Sequence, residues 1–197
     1  MLSVSPQPTV VLASTSRYRA ALLRRLLDHF EQAAPGTDEA PLVGERPAAR
    51  AARLAEAKAR DVAATHPGAI VIGSDQVTDL DGRVLDKPGT VHTAHDQLAA
   101  SSGRDVVFHT AVCVIDLEGD ATTHVDETRV RFRDLSTEDI ARYVERERPL
   151  DCAGSFKCEG LGIALFERID NEDPTALVGL PLIATSRLLR AAGVVLP

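Results

Sequence analysis

The residues best suited to chemistry in this sequence are a few cations and carboxylates spread along the chain. Of its 22 basic residues only three are lysines, so each lysine needs a reason beyond supplying positive charge. Chance drift in composition is the simple explanation. The alternative is that the cations converge on a charge-dense anion such as a polyphosphate, and that carboxylates among them hold a divalent metal or activate water. The candidates are Arg19, Lys58, Asp75, Lys87, Lys157 and Glu159.

The first candidate belongs to a predicted strand, turn and helix. Residues 9–13 are typical of a buried strand, and an apolar stripe at helical spacing predicts a helix that continues to about Phe30. Ser14 and Ser16 lie in the turn between them, and Arg19 follows in the first helical turn. Hydroxyl groups at this place either cap the helix or contribute to an anion site, and capping alone is the simpler interpretation.

Lys58 and Asp75 are placed by a predicted helix and the strand after it. The helix covers residues 47–66, and Lys58 lies in the middle of its apolar face, where a lysine either extends to solvent or meets an anion. The strand covers residues 69–73 and leads to Asp75, at the strand end where open α/β sheets bind ligands. A predicted hairpin after it can bring Lys87 back towards Asp75.

The rest of the chain continues to mix helices and strands. Predicted helices cover residues 90–101, 136–147 and 181–192, and predicted strands cover residues 105–118, 121–133 and 163–168. The Gly-rich segment 151–162 is predicted to be a loop that carries Lys157 and Glu159. Because at least one pair of strands is joined by a short turn and must be antiparallel, the predicted class is α/β with a mixed sheet.

Composition excludes several classes of function. With 22 basic and 29 acidic residues, the 197-residue chain has a net charge of −7, which argues against a nucleic-acid polymer as partner. No apolar run approaches the ~18 residues of a membrane span, and the first residues do not resemble a signal peptide. Three cysteines without a Cys-x-x-Cys pair predict free thiols in a reducing cytoplasm. Residues 1–8 are predicted to be a short loose tail and residues 9–197 a single domain.

Six short motifs occur in order along nearly the whole chain: LASTSRYRAALL (12–23), DE (38–39), LAEAKA (54–59), IGSDQV (72–77), DKP (86–88) and CAGSFKCEGLGI (152–163). Together they resemble the Maf family of nucleotide pyrophosphatases. The resemblance implies a two-lobed α/β fold of the Maf/ITPase-like kind, in which helices flank an elongated mixed β-sheet and a nucleotide cleft lies between the lobes. It also implies that residues 9–197 are one catalytic domain and that the protein forms a homodimer.

The resemblance also implies a reaction. Maf enzymes hydrolyse the α–β phosphate bond of a nucleoside triphosphate to a monophosphate and pyrophosphate, with a divalent cation that would be Mg²⁺, Mn²⁺ or Co²⁺. The SDQ and GSFKCEG forms resemble the branch that is linked to 7-methyl-GTP, whereas the sister branch acts on dTTP and UTP. Two alternatives stay open: an enzyme of that sister branch, and a non-catalytic nucleotide-binding regulator of cell division.

The resemblance implies a role for each matching residue. Asp75 would be the proton acceptor and would share a metal with Glu39. The phosphate-binding set would be Ser14, Arg19, Lys58 and Lys87, the specificity positions Tyr18, Gln76 and Glu159, and the further candidates Ser16 and Lys157. Two residues depart from the pattern, because Arg17 stands where the family usually has Pro and Tyr18 where the branch usually has Trp.

The chemistry of the residues agrees with these roles. A 7-methylguanine ring carries a positive charge, so it should stack on the aromatic ring of Tyr18 through a cation–π contact. The Glu159 carboxylate can accept hydrogen bonds from the N1–H and the amino group of guanine. Asp75 argues against the regulator, because a protein that only binds has no need of a carboxylate that repels phosphates. Gln76 and Glu159 are the residues expected to separate the two enzyme branches.

Overall fold

The computed structural model describes residues 8–197, and its centre is a seven-stranded mixed β-sheet. The strands are β1 (Val10–Ala13), β2 (Glu31–Ala33), β3 (Ile70–Leu80), β4 (Arg83–Val84), β5 (Asp105–Ile115), β6 (Ala121–Phe132) and β7 (Phe166–Asp170). They lie in the order β2-β1-β3-β5-β6-β7, and β4 pairs with β3. β1 is parallel to β2 and β3, whereas the other described pairs are antiparallel. The predicted tail lies outside the described residues, apart from Pro8.

Five α-helices flank this sheet within the described residues. They are α1 (Arg17–Leu23), α2 (Pro47–Ala63), α3 (Val91–Ser101), α4 (Thr137–Glu147) and α5 (Leu182–Ala191), with short 3₁₀ turns at Ala153–Ser155, Leu161–Leu165 and Ala176–Val178. α4 begins with the capping box that its sequence predicts, because the Ser136 hydroxyl accepts from Asp139 N and the Asp139 carboxylate accepts from Ser136 N. The predicted class, α/β with a mixed sheet flanked by helices, is confirmed.

Alternate residues of the central strands pack against helices on opposite faces of the sheet. The face that contains Leu12 and Ile72 packs against α1 and α5. The face that contains Val11 and Val71 packs against α2. Other parts of β5 and β6 pack with α3 and α4 around a separate apolar cluster that contains Phe108. The helices therefore form two groups along one long sheet: α1, α2 and α5 pack around β1 and β3, and α3 and α4 pack around the other parts of β5 and β6. This arrangement agrees with the expected two lobes.

The close approach of α2 to the sheet depends on Gly73 in β3. A Cβ atom at Gly73 would lie 2.1 Å from the Ala55 carbonyl oxygen and 2.9 Å from Ala59 Cβ. Both alanines are fully buried, so the helix backbone rests directly on the strand. This contact holds Lys58, on the same helix, close to β3.

Gly73→Ala is expected to destabilise the protein, because the added carbon would collide with the helix backbone. Overpacking a core costs about 1 to 3 kcal/mol, and we expect a loss at least this large. The free energy of unfolding from urea denaturation measures the loss. Gly36→Ala is a matched control, since a Cβ atom there would lie 3.8 Å from the nearest atom, Asp61 Oδ2. An equal loss in both variants would show that close approach is not the reason for glycine at position 73.

The first helix is shorter than the sequence predicts. α1 ends at Leu23 rather than near Phe30, and residues 31–33 form the edge strand β2, which the sequence did not reveal. The apolar stripe is still used, because Leu26, Leu27 and Phe30 pack against the same core as α1. Turns after the helix bring these side chains to the core without a longer helix, so their spacing was misleading.

Two strand boundaries also differ from the prediction. The strand predicted over residues 163–168 begins only at Phe166, because residues 161–165 form a 3₁₀ turn. Gly162 N donates to the Lys157 carbonyl oxygen at 3.0 Å, which bends the chain tightly there. The strand predicted over residues 69–73 does not end there but runs without a break into the first strand of the predicted hairpin, so that β3 reaches Leu80.

Candidate active site

Asp75 lies inside β3, not at its end as the sequence predicted. The neighbouring strand nevertheless stops close by, because Ala13, the last residue of β1, pairs with Gly73. β3 therefore continues past the carboxyl end of β1, and a cleft opens beside Asp75. Open α/β sheets bind ligands at such an edge. The predicted strand boundary is wrong, but Asp75 still lies beside the carboxyl end of a strand, β1.

A cluster of one cation and two carboxylates lies in this cleft. Lys58 Nζ donates to Asp75 Oδ1 at 2.6 Å and lies 2.7 Å from Glu39 Oε1. The Lys58 and Asp75 side chains are 8% and 10% exposed, whereas Glu39, on the loop before α2, is 57% exposed. The lysine on the apolar helix face therefore meets anions, and the alternative that it extends to solvent is wrong.

The charges around Glu39 favour its ionised form. Partial burial alone would raise the pKa of Glu39, but the hydrogen bond and charge of Lys58, with the charges of Lys87 and Arg19, lower it below its ordinary value. Burial lowers the pKa of Arg19, and the nearby carboxylates of Asp75 and Glu39 partly offset this effect. The three cations and two carboxylates thus form one electrostatic group.

The hydroxyl-rich turn before α1 caps that helix and also orients Arg19. Ser16 Oγ accepts from Arg19 N at 3.4 Å, and Ser14 Oγ accepts from Ser16 N at 3.1 Å. The Arg19 side chain donates through Nε to the Gly179 carbonyl oxygen at 2.9 Å and through Nη1 to Ser14 Oγ at 3.4 Å. The predicted cap is confirmed. The two bonds of the Arg19 side chain fix its guanidinium group at the wall of the cleft.

Two adjoining cavities meet around this electrostatic group. The residues that border both are Ser16, Tyr18, Arg19, Glu39, Lys58, Lys87 and Asp151. The first cavity, of about 370 Å³, extends over β3 past Asp75, and its walls include Leu54, Val77 and Phe156. The second cavity, of about 440 Å³, lies over the turn before α1 and is bordered by Ser14 and Arg17 as well. Both volumes are typical of small-molecule sites.

The three predicted specificity residues, Tyr18, Gln76 and Glu159, all border the first cavity. Glu159 is exposed there. The amide nitrogen of Gln76 is already occupied, because it donates to the carbonyl oxygens of Ala176 and Leu177 at 3.2 and 3.1 Å. Gln76 therefore holds a turn that forms part of the cavity wall.

Arg17, the residue that departs from the family pattern, contacts Tyr18. The Arg17 guanidinium carbon lies 4.8 Å from the centre of the Tyr18 ring, and Arg17 Nη2 donates to the Tyr18 hydroxyl at 2.8 Å. This contact covers one face of the ring and fixes its orientation. It gives Arg17 a place at the cleft that sequence reasoning could not assign.

Lys157 is the one predicted site residue that borders neither cavity. Its Nζ donates to the Glu147 carbonyl oxygen at 3.3 Å and lies 3.6 Å from Asp151 Oδ1. Glu147 is the last residue of α4, so the ammonium group interacts with the negative end of that helix.

Comparison with known proteins shows the family of this chain. A family model described as Maf-like protein matches residues 9–192. The chain belongs to the Maf family. A 7-methyl-GTP pyrophosphatase of Xanthomonas oryzae pv. oryzae (strain MAFF 311018) is 57% identical, over 96% of this chain and 100% of that protein. A protein of the same name from Aromatoleum aromaticum is 56% identical, over 95% of this chain and 97% of that protein. Another from Cupriavidus metallidurans is 51% identical, over 98% of this chain and 97% of that protein.

A solved structure, the nucleoside-triphosphatase / dITP/XTP pyrophosphatase of Mycobacterium abscessus, aligns with 93% of this chain and 94% of its own. The TM-score is 0.45 and the sequence identity 15%. This likeness is too distant to support an inference about the Maf chain.

The two cysteines at the cleft of this Maf protein lack the properties of a nucleophile. Burial, together with the charge of Asp151 beside Cys152 and of Glu159 beside Cys158, raises the pKa of each thiol to about 12. Catalytic thiols have a lowered pKa, because the thiolate is the reactive form.

Sequence reasoning missed Arg50, a further cation at the first cavity of the Maf protein. Its side chain is 13% exposed, its Nη2 lies 3.4 Å from Asp86 Oδ1, and the same nitrogen donates to the Glu39 carbonyl oxygen at 3.3 Å. The signal was present, because Arg50 precedes Leu54 and Lys58 at the spacing of four that keeps residues on one helix face.

Proposed function

We propose that the protein hydrolyses 7-methyl-GTP to 7-methyl-GMP and pyrophosphate and so removes a modified nucleotide. The observation that carries this proposal is the buried Asp75–Lys58 pair, with Glu39, where a cation-rich cavity joins another cavity whose walls include Leu54, Val77 and Phe156. A nucleoside triphosphate has the same division into a charged tail and a flat base. The shared name of relatives at 51% to 57% identity supports the same substrate.

The charges on the two sides of the cleft suit a cationic base in particular. Positive charge around the second cavity comes from Arg17, Arg19, Lys58 and Lys87, which suits a triphosphate. Tyr18 borders both cavities, and the exposed carboxylate of Glu159 borders only the first. Methylation at N7 gives guanine a positive charge, so an aromatic face and a carboxylate favour it over neutral guanine.

In the proposed reaction Asp75 accepts a proton from a water molecule, whose oxygen forms the new bond to the α-phosphorus. The bond between the α-phosphorus and the bridging oxygen breaks, and pyrophosphate leaves with the electron pair. Lys58, Lys87 and Arg19 hold the phosphates in line and stabilise the charge that develops on them. Lys58 also orients the Asp75 carboxylate through its 2.6 Å hydrogen bond.

Asp75 and Glu39 also fit the divalent cation that we propose, Mg²⁺, Mn²⁺ or Co²⁺. Both carboxylates lie within 2.7 Å of one ammonium group, so they are close enough to share a cation. Within residues 8–197 no cluster of three or more possible protein ligands occurs. One or two carboxylates completed by phosphates and water are the typical ligands of Mg²⁺. When bound there, the metal supplies charge neutralisation and activation of water.

A substrate panel with detection of released pyrophosphate tests the proposed function. The values of kcat/KM for 7-methyl-GTP, GTP, dTTP and UTP are compared with each metal and with excess chelator. We expect 7-methyl-GTP to be hydrolysed best and the chelator to abolish turnover. Preference for dTTP or UTP would favour the sister branch, and binding without turnover would favour the regulator. Full activity in chelator would contradict the metal.

Glu159→Ala is expected to lower kcat/KM for 7-methyl-GTP more than for the other triphosphates. Tyr18→Ala should lower the preference over GTP, and Tyr18→Trp should keep or raise it. A cation–π contact of about 0.5 to 2 kcal/mol gives only roughly 2- to 30-fold preference, so Glu159 must supply much of the rest. The ratio of kcat/KM between the two guanine nucleotides measures each effect. An equal loss on all four substrates in Glu159→Ala would exclude a role for this carboxylate in base recognition.

We also propose that the protein acts as a homodimer in the cytoplasm. The likeness to Maf enzymes supports the dimer, and the free thiols of Cys113, Cys152 and Cys158 support a reducing compartment. In the described part of the chain, no helix is both long and apolar enough to cross a membrane. Light scattering on the purified protein should give the mass of two chains, and a mass of one chain would contradict the dimer.

A further inference from the structure

Gln97 borders neither cavity, yet it joins two segments that carry site residues. It lies on α3, is 8% exposed, and uses both ends of its side-chain amide. Gln97 Nε2 donates to the Asp86 carbonyl oxygen at 3.0 Å, and the Ser155 hydroxyl donates to Gln97 Oε1. Asp86 immediately precedes Lys87, and Ser155 lies in the segment that continues to Glu159.

A second hydrogen bond holds the same two segments together. Gly154 N donates to the Leu85 carbonyl oxygen at 3.2 Å. Gly154 and Ser155 have φ values of 70° and 62°, so the chain makes a left-handed turn at this contact. A Cβ atom at Gly154 would lie 2.9 Å from Thr78 Cγ2, which shows that the turn packs directly on β3. The segment before Lys87 and the segment before Glu159 are thus tied by one direct hydrogen bond and by the adjacent pair of bonds through Gln97.

We propose that Gln97 is a positioning residue that sets the separation between Lys87 and Glu159. It acts through the Asp86 carbonyl group on one side and the Ser155 hydroxyl group on the other. The inference rests on the proposed function, in which Lys87 contacts the triphosphate and Glu159 contacts the base. A bound nucleotide can make both contacts at once only if the two segments are held at the matching distance.

Two substitutions separate the two sides of this link. Gln97→Met keeps the length and bulk of the side chain and removes both hydrogen bonds, whereas Ser155→Ala removes only the bond to the segment of Glu159. Because a small misplacement of reacting groups lowers a rate by up to about 100-fold, Gln97→Met should lower kcat/KM for both guanine nucleotides by about 10- to 100-fold. Ser155→Ala should mainly lower the preference for 7-methyl-GTP over GTP.

A double-mutant cycle distinguishes positioning from a general loss of stability. Lys87→Ala is expected to lower kcat/KM by a clearly smaller factor in the Gln97→Met background than in the wild type, because Lys87 is already misplaced there. Likewise, Glu159→Ala should change the base preference less in the Ser155→Ala background. Equal factors in both backgrounds would overturn the proposal.

Ser101→Ala is the matched control on α3. Ser101 is 1% exposed, and its hydroxyl donates to the Gln97 carbonyl oxygen at 2.9 Å, a hydrogen bond within the helix that does not involve the Gln97 side-chain amide. The Ser101→Ala substitution should lower Tm and leave kcat and KM unchanged. A loss of kcat/KM equal to that of Gln97→Met would contradict positioning by the Gln97 amide. If Gln97→Met does not fold, the Ser155→Ala cycle decides.

The test of Gln97 gives a result whether or not the proposed function is correct. If the wild type prefers another triphosphate, the assigned substrate is wrong, but the Lys87 cycle on the preferred substrate still tests Gln97. If the wild type binds GTP without turnover, the same cycle is measured as dissociation constants for GTP. In either case a smaller Lys87→Ala effect in the Gln97→Met background supports the proposal and an equal effect contradicts it.

Discussion

Asp75→Asn is expected to abolish turnover while the protein stays folded. The carboxylate is buried in the cleft and is oriented by Lys58, so it is placed to accept a proton from the attacking water. An amide cannot accept that proton, and loss of a general base lowers a rate by about 10² to 10⁴-fold. Pyrophosphate release at saturating substrate measures the effect, and a thermal melt checks the fold.

The fold should survive this substitution because Asn has the shape of Asp and still offers an oxygen to Lys58 Nζ. Lys58 also keeps its ion pair with Glu39. Nucleotide binding should persist, since a negative charge near the phosphates is removed. Asp79→Asn is a control on the same strand, where the carboxylate lies 3.7 Å from His109 Nε2 and borders neither cavity. Retention of more than about a tenth of the activity in Asp75→Asn would contradict the catalytic role.

The sequence correctly predicted the helices and turns whose ends carry capping or turn residues. The Ser136 and Asp139 capping box placed α4, and the left-handed pair Asp81-Gly82 placed the hairpin that leads to Lys87. The end of α1 carries no such marker, and Leu26 and its neighbours fit a helix and a series of turns equally well. The edge strand β2 has only three residues, of which two are exposed, so it has no periodic pattern.

The sequence predicted those features of the candidate site that depend on the residue pattern within a single helix or strand. The position of Lys58 on the apolar face of its helix left two alternatives, extension to solvent or contact with an anion, and the structure supplies the anion, Asp75. The reason for the cleft beside Asp75 could not be read locally, because it depends on where β1 ends relative to β3. Gln97 gave no signal, since its partner Ser155 is 58 residues away.

Lys58→Met is expected to lower both stability and turnover. Met preserves the apolar stem of this buried α2 side chain, so the change mainly removes the charge. Asp75, 10% exposed, would then be a buried carboxylate without its cation, and breaking a buried pair in this way costs about 3 to 5 kcal/mol. The loss of one group that stabilises charge on the reacting phosphate should lower kcat by about 10² to 10³-fold. Urea denaturation and pyrophosphate release measure the two effects.

A second substitution shows whether the unpaired carboxylate causes the loss of stability. Lys58→Met/Asp75→Asn should be more stable than Lys58→Met alone, because burying a neutral amide costs less than burying an unpaired charge, yet it should stay inactive. Arg60→Met is the control on the same helix. It breaks an exposed pair with Glu56 and should cost less than about 1 kcal/mol. If the double variant is no more stable than Lys58→Met, then Lys58 is not what makes the burial of Asp75 tolerable. The cation and the carboxylate would in that case contribute to the site independently.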